Sequence, residues 1–337
     1  MSAFLYICLG VLLSRTSLIS CNDSGDFLPD DLEGKSYIVN IPQSFHNRSS
    51  ISEKLLDVSN DHNEINSFIK YVTDIKPRIH GATDGEILDT LEQFFWGKKN
   101  GLAIELGALD GSFADNSMTA GLEEHFGWHR ILIEGNPDYR ERMKTKSPLA
   151  FSVNAAICEK HQYVHFQNAA EVGGIIEFMP VEMLKRFHGS YYESTHPPGN
   201  ISSIDWSKHN GAKLVRCLPL KHILKKAGVR HVNLFILDVE GGEMNVLKSI
   251  DWHLVKFDVI AVETDIYFRP PGYGDAITEY LRRKGYRNAT GQMGRNIWFT
   301  HPTFIPSRRP DLVPPDCFRG AGKSVSLGYS VQCRLKD

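Results

Sequence analysis

The chain has 337 residues, of which 42% are hydrophobic and 23% charged, and its formal net charge is −2. That length can bury a large core, one domain of roughly 200 to 250 residues with extensions, and the composition is ordinary for a globular protein. The near-balanced charge gives no electrostatic footprint for nucleic acid or an anionic membrane, so neither partner is expected.

Residues 4–13 form a short apolar run, and residues 17–21 are small enough for a cleavage site, the pattern of a secretory signal peptide. A membrane anchor is the other reading. The run, however, is about half of the ~20 residues that a span needs, and Arg15 interrupts it. We therefore expect residues 1–21 to be removed, with the cut after Ser20 or Cys21. The mature chain then belongs to the ER or Golgi lumen or the extracellular space, with no stable membrane span. Of the six cysteines, Cys8 and Cys21 fall in that segment, which leaves Cys158, Cys217, Cys317 and Cys333. An even number suits two disulfides in an oxidising compartment. Cys317 and Cys333 bracket a glycine-rich tail and are expected to pair, which leaves Cys158 with Cys217. No pair has C-x-x-C spacing, so no zinc or redox motif is indicated. Asn22, Asn47, Asn200 and Asn288 each stand in a sequon.

Residues 22–60 are polar without sustained periodicity and read as a flexible stem. A folded domain is expected over 61–300. Ile65, Phe68, Ile69 and Val72 share a helical face that Pro77 ends. Ile87, Leu91, Phe94 and Phe95 share a second, closed by Gly97. Both helices read as core laid across a sheet.

That sheet begins with an apolar run that ends in Glu105, and the small-residue loop Gly107-Ala108-Leu109-Asp110-Gly111 follows. Met118, Leu122 and Phe126 then recur at helical spacing until Gly127. Strand, tight loop and helix in that order bring backbone close to a ligand, because glycine permits the approach and a helix start offers unpaired N–H groups. The next run ends in Glu134, where a carboxylate can accept hydrogen bonds from both hydroxyls of a ribose. The loop lacks a full G-x-G-x-x-G and the Lys-Ser/Thr of a phosphate-gripping loop, which argues against a dinucleotide or a nucleoside triphosphate. A nucleoside without phosphate fits better, and S-adenosylmethionine is the commonest.

Asn136 and Pro137 lead into a charged helix over 138–146, and 151–157 reads as a third strand. This alternation fits a parallel sheet. Asn154 and Ala155 fall on the edge that carries Glu105 and Glu134, where small groups suit an adenine ring; strand-end packing accounts for them equally well. Val164 and Phe166 mark a short strand, and Met183, Leu184 and Phe187 a short helix. Residues 191–211 form a surface loop, either a substrate lid or an inert insertion.

Residues 214–217 read as a strand, and Leu220, Ile223, Leu224 and Ala227 as a helix ended by Gly228. The continuous apolar run that follows marks a central buried strand. It leads into Asp238 and Glu240, then Gly241-Gly242 and a helix with Met244, Leu247 and Ile250 on one face. Helix N-terminal charge accounts for Glu243 but not for Asp238 upstream. The next strand ends in Glu263. A helix with Ile277, Tyr280 and Leu281 stops at Gly285, residues 296–299 form an antiparallel edge strand, and 301–337 form a Pro/Gly-rich, disulfide-stapled tail.

Four strands thus end in carboxylates: Glu105, Glu134, Asp238 with Glu240, and Glu263. Like charges on one rim raise each other's pKa and cost stability, so a cationic or hydroxyl-rich ligand is the expected reason for them. Ile-Glu-Leu-Gly-Ala-Leu-Asp-Gly at 104–111, Leu-Ile-Glu at 132–134 and Leu-Asp-Val-Glu-Gly-Gly-Glu at 237–243 resemble the FkbM-type methyltransferase family, in its animal secretory-pathway, Star-like branch. The resemblance spans roughly residues 100–300. It implies a Rossmann-like class I methyltransferase fold: α/β, a mostly parallel sheet with an antiparallel edge strand, and helices on both faces. It implies S-adenosylmethionine as cofactor, with Glu105, Gly107, Ala108, Asp110 and Gly111 along its methionine and ribose side. Glu134 would hold the ribose, and Asn154 and Ala155 would border adenine.

Methyl transfer from a sulfonium is an in-line displacement, so positioning does most of the work. A hydroxyl acceptor also needs a base, and Asp238, Glu240 and Glu263 are the candidates ahead of His209 and His222. The secretory address makes a glycan hydroxyl the expected acceptor. Asp238 and Glu263 could instead hold a divalent cation such as Mg²⁺. The other functional reading is a non-catalytic binding or trafficking module on the same fold.

Overall fold

The computed structural model describes residues 31–32, 35–46, 83–169, 172–188, 211–264, 269–293, 295–308, 317–323 and 329–333. The chain divides into two units, Met1–Ser36 and Tyr37–Asp337. In the first, Asp31–Leu32 pairs antiparallel with Lys35–Ser36. The expected signal peptide, the helix ended by Pro77 and the loop over 191–210 lie outside the described residues. So do His209 and the sequons at Asn22, Asn47 and Asn200.

The strands of the second unit are β1 (Ile38–Asn40), β2 (Leu102–Leu106), β3 (His129–Glu134), β4 (Phe151–Asn154), β5 (Ala156–Ile157), β6 (Gln162–Gln167), β7 (Gly174–Ile175), β8 (Ala212–Leu218), β9 (His231–Leu237), β10 (Lys256–Glu263), β11 (Arg287–Met293), β12 (Asn296–Thr300), β13 (Cys317–Lys323) and β14 (Tyr329–Cys333). Its helices are α1 (Gln43–His46), α2 (Thr83–Phe94), α3 (Leu122–Phe126), α4 (Arg140–Lys146), α5 (Val181–Phe187), α6 (Leu220–Lys226), α7 (Glu243–Lys248) and α8 (Tyr273–Arg283).

The main sheet has the order β11-β12-β10-β9-β2-β3-β4-β1. Its middle, from β10 to β4, is parallel throughout. The fold is therefore α/β with a mixed, mostly parallel sheet. Alternation along β9 sends Leu234 and Ile236 to one face and Phe235 and Leu237 to the other. Ile87, Leu91 and Phe94 of α2 and Leu122 and Phe126 of α3 pack with the first set. Leu220 and Ile223 of α6, Leu247 of α7 and Ile277 and Leu281 of α8 pack with the second. With both faces covered, the central strands must be apolar on both sides, and each buried Leu, Ile or Phe contributes about 1.5–3 kcal/mol on leaving water.

Several elements differ from the sequence reading. The expected antiparallel strand is β12, but it lies one place inside the edge, because β11 pairs outside it. The antiparallel strand at the opposite edge is β1, paired with β4. Residues 38–46, inside the expected stem, are thus not free chain: Phe45 of α1 is 4% exposed and packs on Phe151, ring centroids 5.1 Å apart. The helix expected from Met118 begins only at Leu122, because Gly121 at its N-cap is left-handed at φ 79. The run over 151–157 is two strands. It leaves the main sheet at Ala155, and β5 joins a second sheet of order β5-β8-β6-β7.

From β2 the chain builds β3 and β4 to one side, passes through the second sheet, and returns by α6 to β9 on the other side of β2. That reversal leaves a crevice at the carboxyl ends of β2 and β9, where open α/β sheets bind ligands. No described helix is long and apolar enough to cross a membrane.

Candidate active site

A cavity of ≈ 270 Å³ opens at this crevice, close to the lower end of the roughly 300–1,000 Å³ usual for small-molecule sites. The strand ends line it through Gly107, Glu134, Asp238, Glu240 and Glu263. The second sheet and its connections line it through Ala155, Phe166 and Gly174.

Glu134 is 3% exposed. Leu109, left-handed at φ 49, donates its backbone N–H to Glu134 Oε2 at 2.9 Å. The Asn136 N–H donates to Oε1 at 2.6 Å. Burial pushes the Glu134 carboxyl up to about 7, against the lowering effect of these amides. Each carboxylate oxygen has two acceptor sites, so capacity remains for further donors such as a ribose diol.

Glu105 also lines the cavity but is engaged by protein donors: Ser117 Oγ at 2.7 Å, the Met118 N–H at 2.8 Å and Thr119 Oγ1. It anchors the segment after the loop and shapes the wall. Ala108, Asp110, Gly111 and Asn154 do not line the cavity, contrary to expectation. Ala108 is buried with Leu132, Tyr139 and Met143. Asp110 accepts from Ser112 and from Arg142 Nη2 at 2.8 Å. A Cβ on Gly111 would meet Leu132 Cδ1 at 2.3 Å, so this glycine serves packing. Asn154 Nδ2 donates to the carbonyls of Glu134 (2.9 Å) and Asn136 (2.8 Å) and so fixes the turn that carries Glu134. The cause is the shape of the loop. With Leu109 and Gly111 both left-handed, the chain curls back toward β3, and only Gly107 and Leu109 face the crevice. Ala155 lines the cavity as expected.

On the other side of the crevice, β9 stops at Leu237 because Glu240 (φ 56) and Gly241 (φ 108) turn the chain into α7. A non-glycine residue in that region carries strain of about 1–3 kcal/mol, held by its surroundings. Glu243 is more than a helix-start charge. It is 0% exposed and accepts the N–H groups of Gly241 (3.1 Å) and Val239 (3.4 Å) and the hydroxyl of Tyr273.

The residue that sequence reasoning misses is Arg269, 5% exposed. Its Nη2 donates to Glu263, to Glu243 Oε1 at 3.1 Å and to Glu240 Oε2 at 3.4 Å. A lone arginine before Pro270-Pro271 has no periodicity or motif to announce it. The surplus of acids on the rim is the one sign that a buried cation is needed. Burial would lower the Arg269 pKa, but Glu243, Glu263 and Glu240 raise it above its ordinary value. Burial also raises Asp238, Glu240 and Glu263, and Asp238 is the largest charge acting to raise the other two. Oxygens of Asp238, Glu243 and Glu263 lie within 4.8 Å of one another, a spacing that a metal ion could use. Two of the three already bond Arg269. The guanidinium thus supplies the positive charge, and the donor set does not fit a divalent cation.

His222 lies away from the cavity, with its Nδ1 2.8 Å from His161 Nε2. Cys158 and Cys217 form the expected disulfide, Cα atoms 5.6 Å apart, directly after the Ala155–Ile157 wall. In the tail, Cys317 and Cys333 are Cα partners across β13 and β14. Asn288 is exposed on the edge strand β11.

A family model described as the methyltransferase FkbM domain matches residues 105–288. No curated protein matches the chain. Among solved structures, the chain is similar to a TehB-like SAM-dependent methyltransferase from Corynebacterium glutamicum, at 10% identity and a TM-score of 0.34, covering 72% of this chain and 100% of that one. It is also similar to a precorrin-6y C5,15-methyltransferase from Geobacter metallireducens, at 10% identity and a TM-score of 0.28, covering 60% of this chain and 79% of that one.

Proposed function

The chain belongs to the FkbM methyltransferase family, and on that premise we propose that it is an S-adenosylmethionine-dependent O-methyltransferase of the secretory pathway, in the Star-like branch, acting on a glycan hydroxyl. The observation that carries the cofactor reading is Glu134, a buried carboxylate at the strand end beside the switch point, with acceptor capacity left toward the cavity. Around it the residues fit a nucleoside. Glu134 would hold the ribose, Ala155 and Phe166 would border the flat ring, and Gly107 would let backbone come close. When bound, S-adenosylmethionine supplies a methyl group on a sulfonium, ready for displacement.

The chain's own residues then bind, orient and deprotonate. The acidic rim favours a positive charge in the cavity. Asp238 lines the same cavity, and its Oδ1 is buried without a hydrogen-bond partner among the described residues. It is the residue we assign to take the acceptor proton. The secretory part of the proposal rests on the signal-like residues 1–21, the sequons and the cysteine pattern.

Calorimetry of the secreted protein with S-adenosylmethionine tests the reading. One-to-one binding that Glu134→Ala weakens is expected, and no binding would overturn it. Incubation with labelled S-adenosylmethionine and released glycans tests the acceptor. Binding without transfer to any glycan pool would favour the non-catalytic module.

A further inference from the structure

The three candidate bases differ in what holds them. Glu263 accepts from Arg269 Nη2, and Glu240 accepts from Nη1 and Nη2, each at 3.4 Å. Glu243, beside them, is taken by Arg269, Tyr273 and two backbone N–H groups. Asp238 makes no bond to Arg269 among the described residues. Its Oδ1 is buried without a hydrogen-bond partner among the described residues, and a carboxyl oxygen of Asp238 lies within 4.8 Å of one of Glu263. Two buried carboxyls this close disfavour double ionisation, so their protons come off in steps that belong to the pair.

We propose that Arg269 is the positioning residue that selects Asp238 as the proton acceptor, by engaging the three neighbouring carboxyls of Glu263, Glu243 and Glu240 and leaving Asp238 Oδ1 untied. The proposal rests on the reading that a hydroxyl acceptor is methylated here. In the transfer the acceptor O–H bond breaks and a C–O bond forms to the methyl carbon. The C–S bonding pair remains on sulfur, and the proton passes to Asp238 Oδ1.

The charged groups around Asp238 come from every neighbouring element: Glu263 from β10, Glu240 from its own turn, Glu243 from α7, Arg269 from the segment before α8, and Arg295 from the β11–β12 connection. Arg269 also touches Met183 Sδ of α5 at 3.4 Å and so ties the rim to the segment packed over it.

Difference infrared spectroscopy of the full mature chain, with no acceptor present, follows protonated carboxyl groups as pH changes. Glu134 and other buried carboxyls contribute bands as well, so the Asp238 band is the one that Asp238→Asn removes. In Arg269→Gln that band is expected to persist to a pH about one unit or more higher, because the largest positive charge acting on Asp238 is gone. An unchanged titration in folded Arg269→Gln overturns the proposal. If Arg269→Gln does not fold by circular dichroism, Arg269→Lys takes its place. A single ammonium cannot fork across three carboxyls, so a smaller shift in the same direction is expected, and no shift again overturns the proposal. These spectra require no cofactor. A wild type that fails to bind S-adenosylmethionine therefore counts against the proposed function and is told apart from a failure of the Arg269 assignment.

Discussion

An ideal Cβ built on Gly107 would stand 1.8 Å from the carbonyl oxygen of Asp238. The chain after β2 thus lies in backbone contact with the turn that carries the acids, across the switch point itself. Gly107 is also at φ 82, where only glycine is at ease. Gly107→Ala is expected to cost at least about 2 kcal/mol through strain and overlap, and to part the two cavity-lining turns. Denaturation midpoints and S-adenosylmethionine calorimetry should fall together. A variant with wild-type values of both would mean that the contact is not needed.

Glu134 should make the ligand-free protein sensitive to pH. Its carboxyl is raised from 4.5 to about 7 by burial, so the folded form holds a proton that the unfolded chain releases. That contribution is fully present below the unfolded value and is lost as pH rises through about 7, roughly 3 kcal/mol in all. Higher stability at pH 5 than at pH 8 is expected, with a smaller difference in Glu134→Gln. Ribose hydroxyls favour the ionised carboxylate, so binding near pH 7 should release a proton, read by calorimetry in buffers of different ionisation enthalpy. Glu134→Ala should weaken binding by roughly 1.5–3 kcal/mol. Unchanged affinity in the folded variant would remove Glu134 from the ribose site.

The strand ends are legible in the sequence because a parallel strand covered on both faces has no polar side to hide its apolar run. Glu105, Glu134, Asp238 and Glu263 therefore stand out at the close of β2, β3, β9 and β10. The edge strand β11 is not legible: Arg-Asn-Ala-Thr-Gly-Gln-Met needs only one ladder neighbour and carries no apolar alternation. Ala108, Asp110 and Gly111 sit inside the motif yet outside the cavity. Spacing does not reveal the left-handed turn at Leu109 that curls the loop away. Arg269 is hidden for another reason. Its partners arrive from the turn after β9, from α7 and from the end of β10, and only the fold brings them together.

The Cys158–Cys217 disulfide closes a sequence separation of 59 residues, worth roughly 4 kcal/mol in the loop-entropy account. Because Cys158 directly follows Ala155–Ile157 in the cavity wall, Cys158→Ser should lose cofactor affinity as well as stability.

The secretory assignment has its own check. The register of β13 and β14 sets Cys317 opposite Cys333, which suits a second bridge. We expect the secreted form to be shortened at its N-terminus, to carry N-glycans and to contain both disulfides. Intact mass before and after glycosidase and reduction reads all three. A full-length chain with free thiols would sink the secretory assignment and the glycan acceptor with it.

Asp238→Asn is the direct test of catalysis. Burial raises the Asp238 carboxyl, which brings it toward the range where a base works at neutral pH, and its Oδ1 lies buried without a partner among the described residues. Asparagine keeps the size of the side chain and removes its basicity, so cofactor binding and fold should survive. Loss of a general base costs about 10²–10⁴ in rate, and methyl transfer to a glycan acceptor should fall by that factor at saturating S-adenosylmethionine. Glu240→Gln should fall less, because Glu240 already spends an oxygen on Arg269. Full activity in Asp238→Asn would move the base to Glu240 or Glu263. A tenfold or smaller loss in Asp238→Asn alongside a larger one in Glu263→Gln would assign the proton to the Glu263 side of the pair.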